Sequence, residues 1–235
     1  MVAHQISTQN TNRYSKKDAL DRLSEVFKKK SCNFDQIVDE VFNLFKSNGI
    51  KREAARQLVL QLIKEQSIIP GKKHTFLTIL ENPTRRSIYS YIQEEKVAHY
   101  SKIKQELGIR SENMYRLHLE SLENFGLLKS FQYGGIRLIC SNDIDEDSYV
   151  CYYRLKIKKY YDIVNLLLNS EPLSIADFNL HLKMDTKYTV ESLVKIKLFI
   201  ENDKKYILDP EQREKVKGII KHINEMKMTK EREEA

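Results

Sequence analysis

The sequence predicts a mainly α-helical protein with small β wings: tandem winged helix-turn-helix domains followed by a C-terminal amphipathic helix. Three observations carry this reading. Glycine (7) and proline (4) are scarce among 235 residues and 31% are charged, which favours helices with short connections. The stretch Leu77–Leu128 holds three amphipathic periods separated by cap-bearing turns, and ends in Gly126 before a β-prone run. A similar order, three helical periods and then a hairpin signal, returns between Tyr160 and Asp209.

Residues 1–14 read as a polar tail without the apolar core of a signal peptide. No run approaches the roughly 18 apolar residues of a membrane span, so a soluble cytoplasmic protein is expected. Residues 15–74 form an N-terminal helical domain, with a degenerate winged helix and a plain helical hairpin both open. Leu20, Leu23, Val26 and Phe27 share a helix face over 16–30. Asn33 caps a second helix with a broad stripe from Phe34 to Phe45, which Ser47-Asn48-Gly49 ends. A third helix, about 51–66, buries Ala55, Leu58, Val59, Leu62 and Ile63, and Pro70-Gly71 suits a short hairpin. The run GIKREAARQLVLQLIKEQSIIPGKK is similar to winged helices appended to archaeal replicative helicases.

The central domain, 75–156, opens with a short helix at Phe76–Leu80, stopped because Asn82 precedes a proline. Pro83 then starts a helix burying Ile88, Tyr91 and Ile92. Ser101 is expected to cap the positioning helix, with Ile103 and Leu107 inward and Gly108 in the tight turn. Ser111 caps the next helix, which turns Tyr115, Leu119 and Leu122 to the core. Its other face shows Glu112, Asn113, Met114, Arg116, Leu117 and His118.

LTILENPTRRSIYSYI resembles the opening of ArsR-type winged helices, MYRLHLESLENFGLL their recognition helix, and CYYRLK the strand that closes their wing. The likeness spans about 75–156, a third of the chain. It implies a transcription regulator that inserts the helix 111–124 into the DNA major groove, and it places His118 at a recognition-helix position. The Cys-x-Cys of metal-sensing members is missing, so metal sensing is not implied. The wing is also longer. Ser130–Gln132 and Ile136–Cys140 flank Tyr133-Gly134-Gly135, and an acidic bend at 143–147 leads to Tyr149–Leu155, read as the third strand of a meander. Asp143, Asp145 and Asp147 have calcium-loop spacing, but Ser148 and Arg154 stand where that loop needs Gly and Glu, so a solvated acidic loop is expected.

A second winged helix is expected over 157–209: an apolar helix at Tyr160–Leu168, Ser174 capping IADFNLHL, a helix from Asp185-Thr186, and a hairpin about Asn202-Asp203. Lys183, Lys187, Tyr188, Glu191 and Lys195 make its outward face, which suits phosphate contact or plain solvation. In 210–235 a helix starting at Pro210 carries Val216, Ile219, Ile220, Ile223 and Met226 in one stripe. That stripe can pack on its own domain or pair with a second copy, and a homodimer is expected.

No phosphate-cradling glycine loop, nucleophile elbow or metal-protease motif occurs, so no enzyme, cofactor or metal is expected. Cys32, Cys140 and Cys151 lack metal spacing and read as structural thiols; Cys140 and Cys151 facing each other across the wing would make a redox pair. The net charge of +7 suits a polyanion, but residues 1–74 carry 14 Lys/Arg against 8 Asp/Glu while 75–155 carry 10 against 11.

The expected function is therefore a DNA-binding transcription regulator associated with the nucleoid, its partner double-stranded DNA. Asn113 would read adenine, Arg116 guanine or a phosphate, and Ser111, Met114, Leu117 and His118 complete the groove-facing set. Ser101, Lys102, Lys104 and Arg137 would hold the backbone, as would Arg85 and Arg86, with an intradomain ion pair the alternative for Arg85. Lys183 and Lys187 add a second contact. The near-neutral central domain leaves two other readings open: a tandem winged-helix protein-interaction scaffold or transcription-machinery subunit, and a non-specific architectural DNA-binding protein.

Overall fold

The computed structural model describes residues 15–170 and 172–233; the expected polar tail, 1–14, lies outside the described residues. Those residues hold eleven α-helices and two small three-stranded antiparallel sheets. Packing divides the chain into two units, Met1–Tyr91 with Ile103–Lys129 and Ile92–Lys102 with Ser130–Ala235.

The first unit opens with α1 (Lys16–Lys29), α2 (Phe34–Phe45) and α3 (Arg52–Lys64). The first two are capped by side chains, and α3 starts after Lys51 without a side-chain cap. Ser15 Oγ accepts from the Asp18 amide, and Asn33 and Gln36 form a reciprocal capping box. Their apolar stripes meet in a core that includes Leu23, Phe27, Ile37, Val41, Val59 and Leu62, all fully buried. The hairpin expected about Pro70-Gly71 is reduced to one antiparallel bridge, Ile68 to Thr75, and Thr75 is tied to Ser24 of α1 by a 2.7 Å hydroxyl–hydroxyl bond. Ile79–Glu81 is a single 3₁₀ turn.

Next come α4 (Pro83–Glu95), α5 (Tyr100–Glu106) and α6 (Glu112–Asn124). Asn82 Oδ1 accepts from the Arg85 amide at the start of α4, and Ser111 Oγ from the Met114 amide at the start of α6. On α6, Tyr115, Leu119 and Leu122 are fully buried, as the i, i+4, i+7 spacing predicts. Gly126 ends this segment at φ +64°, and a Cβ there would lie 2.1 Å from Gln66 Oε1, while Gln66 Nε2 donates to the Asn124 carbonyl. The left-handed turn is what calls for glycine here, since the Gln66 amide is the end of a flexible side chain that can move aside.

The second unit contains the sheets. β1 (Val97–His99), β2 (Leu128–Tyr133) and β3 (Ile136–Ser141) order as β1-β3-β2, with Val97 opposite Cys140 and His99 opposite Leu138; the first two residues of β2 belong to the first unit. Gly134 and Gly135, both at positive φ, make the two-residue hairpin turn. After α7 (Tyr149–Leu155) come α8 (Lys158–Asn169), β4 (Leu173–Ser174), α9 (Ile175–Leu182), α10 (Lys187–Lys195), β5 (Phe199–Asn202), β6 (Lys205–Leu208) and α11 (Arg213–Glu233). This sheet orders as β4-β6-β5. In both sheets a short strand between two helices pairs with the last strand of a hairpin, so one plan of elements occurs twice. Val97, Leu138 and Cys140 of the first sheet share a core with Phe178, Leu193, Leu208 and Val216.

Two expectations are corrected, and an open one is decided. Tyr149–Leu155 is a helix instead of the third wing strand. Tyr149, Tyr152 and Leu155 are buried at helical spacing, and β1 already occupies the free edge of β3. Aromatic β propensity yields to burial. Second, α11 starts at Arg213, after a turn at Pro210–Gln212. Of the two roles open to its stripe, four of the five residues take the first: Val216, Ile219, Ile220 and Ile223 are at most 7% exposed in the unit's own core, and Met226 is half-buried.

One ionic cluster joins these elements. Glu95, 3% exposed at the end of α4, accepts 2.6 Å bonds from Lys156 Nζ and Lys230 Nζ. Lys156 also donates to the carbonyls of Glu95 and Val97 (2.8 Å for Val97), so it closes the junction of α4 and β1 from the end of α7. Burial alone would raise the Glu95 carboxyl, but the two ammonium groups override it and hold the pKa at about 2. Burial pulls Lys156 down to about 8 against the attraction of Glu95, so the pair is ionised at neutral pH. Because the folded pKa of Glu95 lies below its ordinary value, its contribution to stability is complete above about pH 4.5 and is lost as pH falls towards 2. Glu95→Gln is expected to cost about 3 kcal/mol in urea unfolding at pH 7, by leaving Lys156 without its counter-charge. It should also flatten the acid limb of stability between those pH values. An unchanged acid limb would show that Glu95 does not carry it.

Candidate nucleic-acid interface

In the first unit, α6 presents the face read from sequence. Its core side is fixed by Tyr115, Leu119 and Leu122, which leaves Ser111, Asn113 and Arg116 exposed, Met114 49% and Leu117 52% exposed, and His118 half-buried. Two apolar side chains half open to solvent beside an amide and a guanidinium make a mixed surface. The charges on it are partly paired. Lys104 of α5 donates to Glu112 at 2.6 Å, and Arg116 lies 3.7 Å from Glu120 one turn on. Met114 and His118 border an open hollow of about 400 Å³, lined also by Pro83, Thr84, Ser87, Leu107, Gly108 and Ile109. Burial, and then the nearby positive charge of Arg85, push the His118 imidazole below its usual range, so it is neutral at pH 7. A neutral imidazole can donate from one nitrogen and accept at the other, which suits a base edge better than a phosphate.

Arg85 is not a phosphate contact. It is 7% exposed, and its Nε donates 2.7 Å to the Ile79 carbonyl, which ties the 3₁₀ turn to α4. Arg86, exposed, makes the matching bond to the Leu80 carbonyl at 3.0 Å. The P-T-R-R sequence therefore serves the unsatisfied carbonyls of the preceding turn.

The other expected contacts fall in the second unit. Ser101 and Lys102 are exposed on the first turn of α5. Ser101 is not the cap: the helix already begins at Tyr100, and the Ser101 amide and hydroxyl both meet His99 Nδ1, at 3.2 and 2.5 Å. Pairing of β1 through His99 brings that ring to the helix start, where it takes the capping position. Arg137 of β3 bonds Ser130 Oγ at 2.9 Å and lies over the Tyr100 ring, so it is held against its own sheet. Lys183, in a left-handed turn after α9, and Lys187, the first residue of α10, are exposed.

The acidic bend is occupied by lysines of its own unit. Asp143 pairs with Lys96 at 2.5 Å and Asp145 with Lys215 at 2.8 Å, and Asp145 also accepts from Ser148 Oγ. No group of acidic, histidine or cysteine residues able to hold a metal ion occurs among the described residues. Cys140 and Cys151 are buried, and because α7 replaces the third strand they do not face each other across a hairpin. Burial pushes the Cys151 thiol up to about 12, which keeps it protonated and unreactive at neutral pH.

Sequence reading missed Arg154. It lies on α7, with its guanidinium 5.2 Å from the Tyr133 ring centre and 4.7 Å from that of Tyr160. As the strand its aromatic residues suggest, CYYRLK would scatter these groups; as a helix it gathers them. Arg154 and Tyr133 line a small hollow of about 160 Å³ with Tyr188, Glu191, Ser192 and Lys195 of α10.

No known protein-family model matches the chain, and no curated protein matches it either. No helix among the described residues is long and apolar enough to cross a membrane.

In a proton NMR titration of the intact protein, the His118 imidazole is expected to titrate below 6.5, because burial disfavours its charged form. A midpoint at or above that value would contradict the half-buried setting.

Proposed function

We propose that this protein is a DNA-binding transcription regulator, built as tandem winged helices related in plan to the ArsR type, which reads the major groove with α6. The observation that carries the reading is the division of α6 into two faces. Tyr115, Leu119 and Leu122 anchor it, while Asn113, Arg116, Met114 and Leu117 stand exposed on an N-capped helix. Asn113 then pairs with adenine and Arg116 with guanine, Met114 and Leu117 rest against thymine methyl groups, and neutral His118 meets a base edge. Lys104, on the same unit, meets a phosphate, and in the second unit Ser101 and Lys102 are phosphate contacts of their own. The repeated element plan and the net charge of +7 are in keeping with this. Such a regulator works in the cytoplasm, at the nucleoid. A homodimer would need a surface other than the buried stripe of α11.

A second reading, a protein-interaction scaffold, draws on the same face, since Met114 and Leu117 are about half exposed and two of its cations are paired. Selection from random duplex DNA separates the two. Recovery of one motif is expected, and Asn113→Ala and Arg116→Ala should each weaken binding to it about 10- to 100-fold while sparing random duplex. Glu112→Gln, which releases Lys104, should tighten binding to all duplexes a few-fold. Steep salt dependence with no motif would point to architectural coating, and no binding near physiological salt would leave the scaffold.

A further inference from the structure

The hollow beside Arg154 has the make-up of an anion site. An arginine has five N–H donors, and three are engaged here: Nε and Nη2 bond the Tyr133 hydroxyl, at 3.3 and 2.9 Å, and Nη1 bonds the Tyr160 hydroxyl. Two remain. Both partners are hydroxyl groups, and no ion pair of Arg154 occurs among the described residues, so a half-buried guanidinium is left without a paired carboxylate. The two tyrosine rings hold it in place, which fixes the direction of its remaining donors. Around it stand Lys195, exposed, and the Ser192 hydroxyl, 3.5 Å from the Tyr160 hydroxyl. The single acid on the rim is Glu191, so Arg154 and Lys195 leave the hollow net positive. At about 160 Å³ the hollow admits a phosphate group but not a whole nucleotide. Tyr188 lies at its edge, 74% exposed. A tyrosine that open, beside a phosphate-sized hollow, suits stacking on a base.

We propose that this hollow binds a backbone phosphate of a nucleic-acid strand through Arg154 and Lys195, with Tyr188 stacked on the adjoining base. The site lies in a different unit from the recognition face of α6 and does not depend on that face reading a groove. Glu191 restrains its affinity, and Lys187 at the start of α10 extends the positive surface along the strand.

The test is fluorescence anisotropy of the full chain with a labelled 12-nucleotide single strand and with duplex, across a salt series. Lys195→Ala should lower the salt slope by about one. Tyr188→Ala should weaken single-strand binding about tenfold. Glu191→Gln should tighten it two- to threefold. These three side chains are exposed, so the variants report binding without unfolding the chain. Arg154→Gln should weaken binding further where circular dichroism shows it folded. Unchanged affinities in Lys195→Ala and Tyr188→Ala would overturn the proposal. Inorganic phosphate, titrated by calorimetry, separates the source of the anion. Millimolar competition with the oligonucleotide supports a shared site, whereas phosphate binding that the oligonucleotide does not displace would overturn the nucleic-acid assignment in favour of a small phosphorylated ligand. Loss of binding in Arg116→Ala with no effect of Lys195→Ala would leave the α6 reading standing and this one refuted; the reverse pattern would do the opposite.

Discussion

Glu95 is a buried carboxylate, and two lysines of the second unit converge to keep it ionised. It belongs to α4, its two counter-charges come from the end of α7 and from α11, and one of them also closes the carbonyl of Val97 on β1. A buried charge is tolerated only when it is paired and its remaining lone pairs are bonded. Satisfying that condition fixes where the last turn of α4, the first strand and the C-terminal helix must lie. Neighbouring bonds add to the same junction. Ser141 donates from its amide to the Lys96 carbonyl, and His222 meets the Glu94 carbonyl at 2.9 Å. Lys96 itself is held at φ +60°, a left-handed turn that is costly for a residue with a Cβ and is stabilised here by its ion pair with Asp143.

That junction explains why α11 is a structural helix. Its apolar stripe packs on α7 and α8, its Lys215 neutralises Asp145, and its Lys230 completes the Glu95 cluster. The acidic bend, which in isolation would repel a polyanion, is likewise partly neutralised by Lys96 and Lys215, so the sequence charge overstates its effect.

Much of the fold was legible because local rules and burial agree. The caps at Asn33, Ser111 and Ser174, the glycine hairpin of the first sheet and the inward faces of α2, α3 and α6 all follow from residue type and spacing. So did the outward face of α6, since naming the buried positions of a helix leaves the exposed ones by subtraction. Legibility failed where a partner distant in sequence decides the outcome. Arg85 reads as a basic contact until the Ile79 carbonyl is seen above it, and Ser101 reads as a cap until His99 is placed by its strand.

By itself, then, the sequence determined most of the helices, the caps at Asn33, Ser111 and Ser174 and which side of α2, α3 and α6 is apolar, because these depend on neighbours three or four residues apart. Only the tertiary structure decided that Tyr149–Leu155 coils instead of extending, since both states suit its aromatic side chains and the edge of β3 was taken by a strand about fifty residues earlier. It also decided the pairings of Glu95 with Lys156 and Lys230, and of Arg154 with Tyr133, which lie 61, 135 and 21 residues apart. Charges that far apart in the chain have no local signature; their state is set by the burial and the partners that folding supplies.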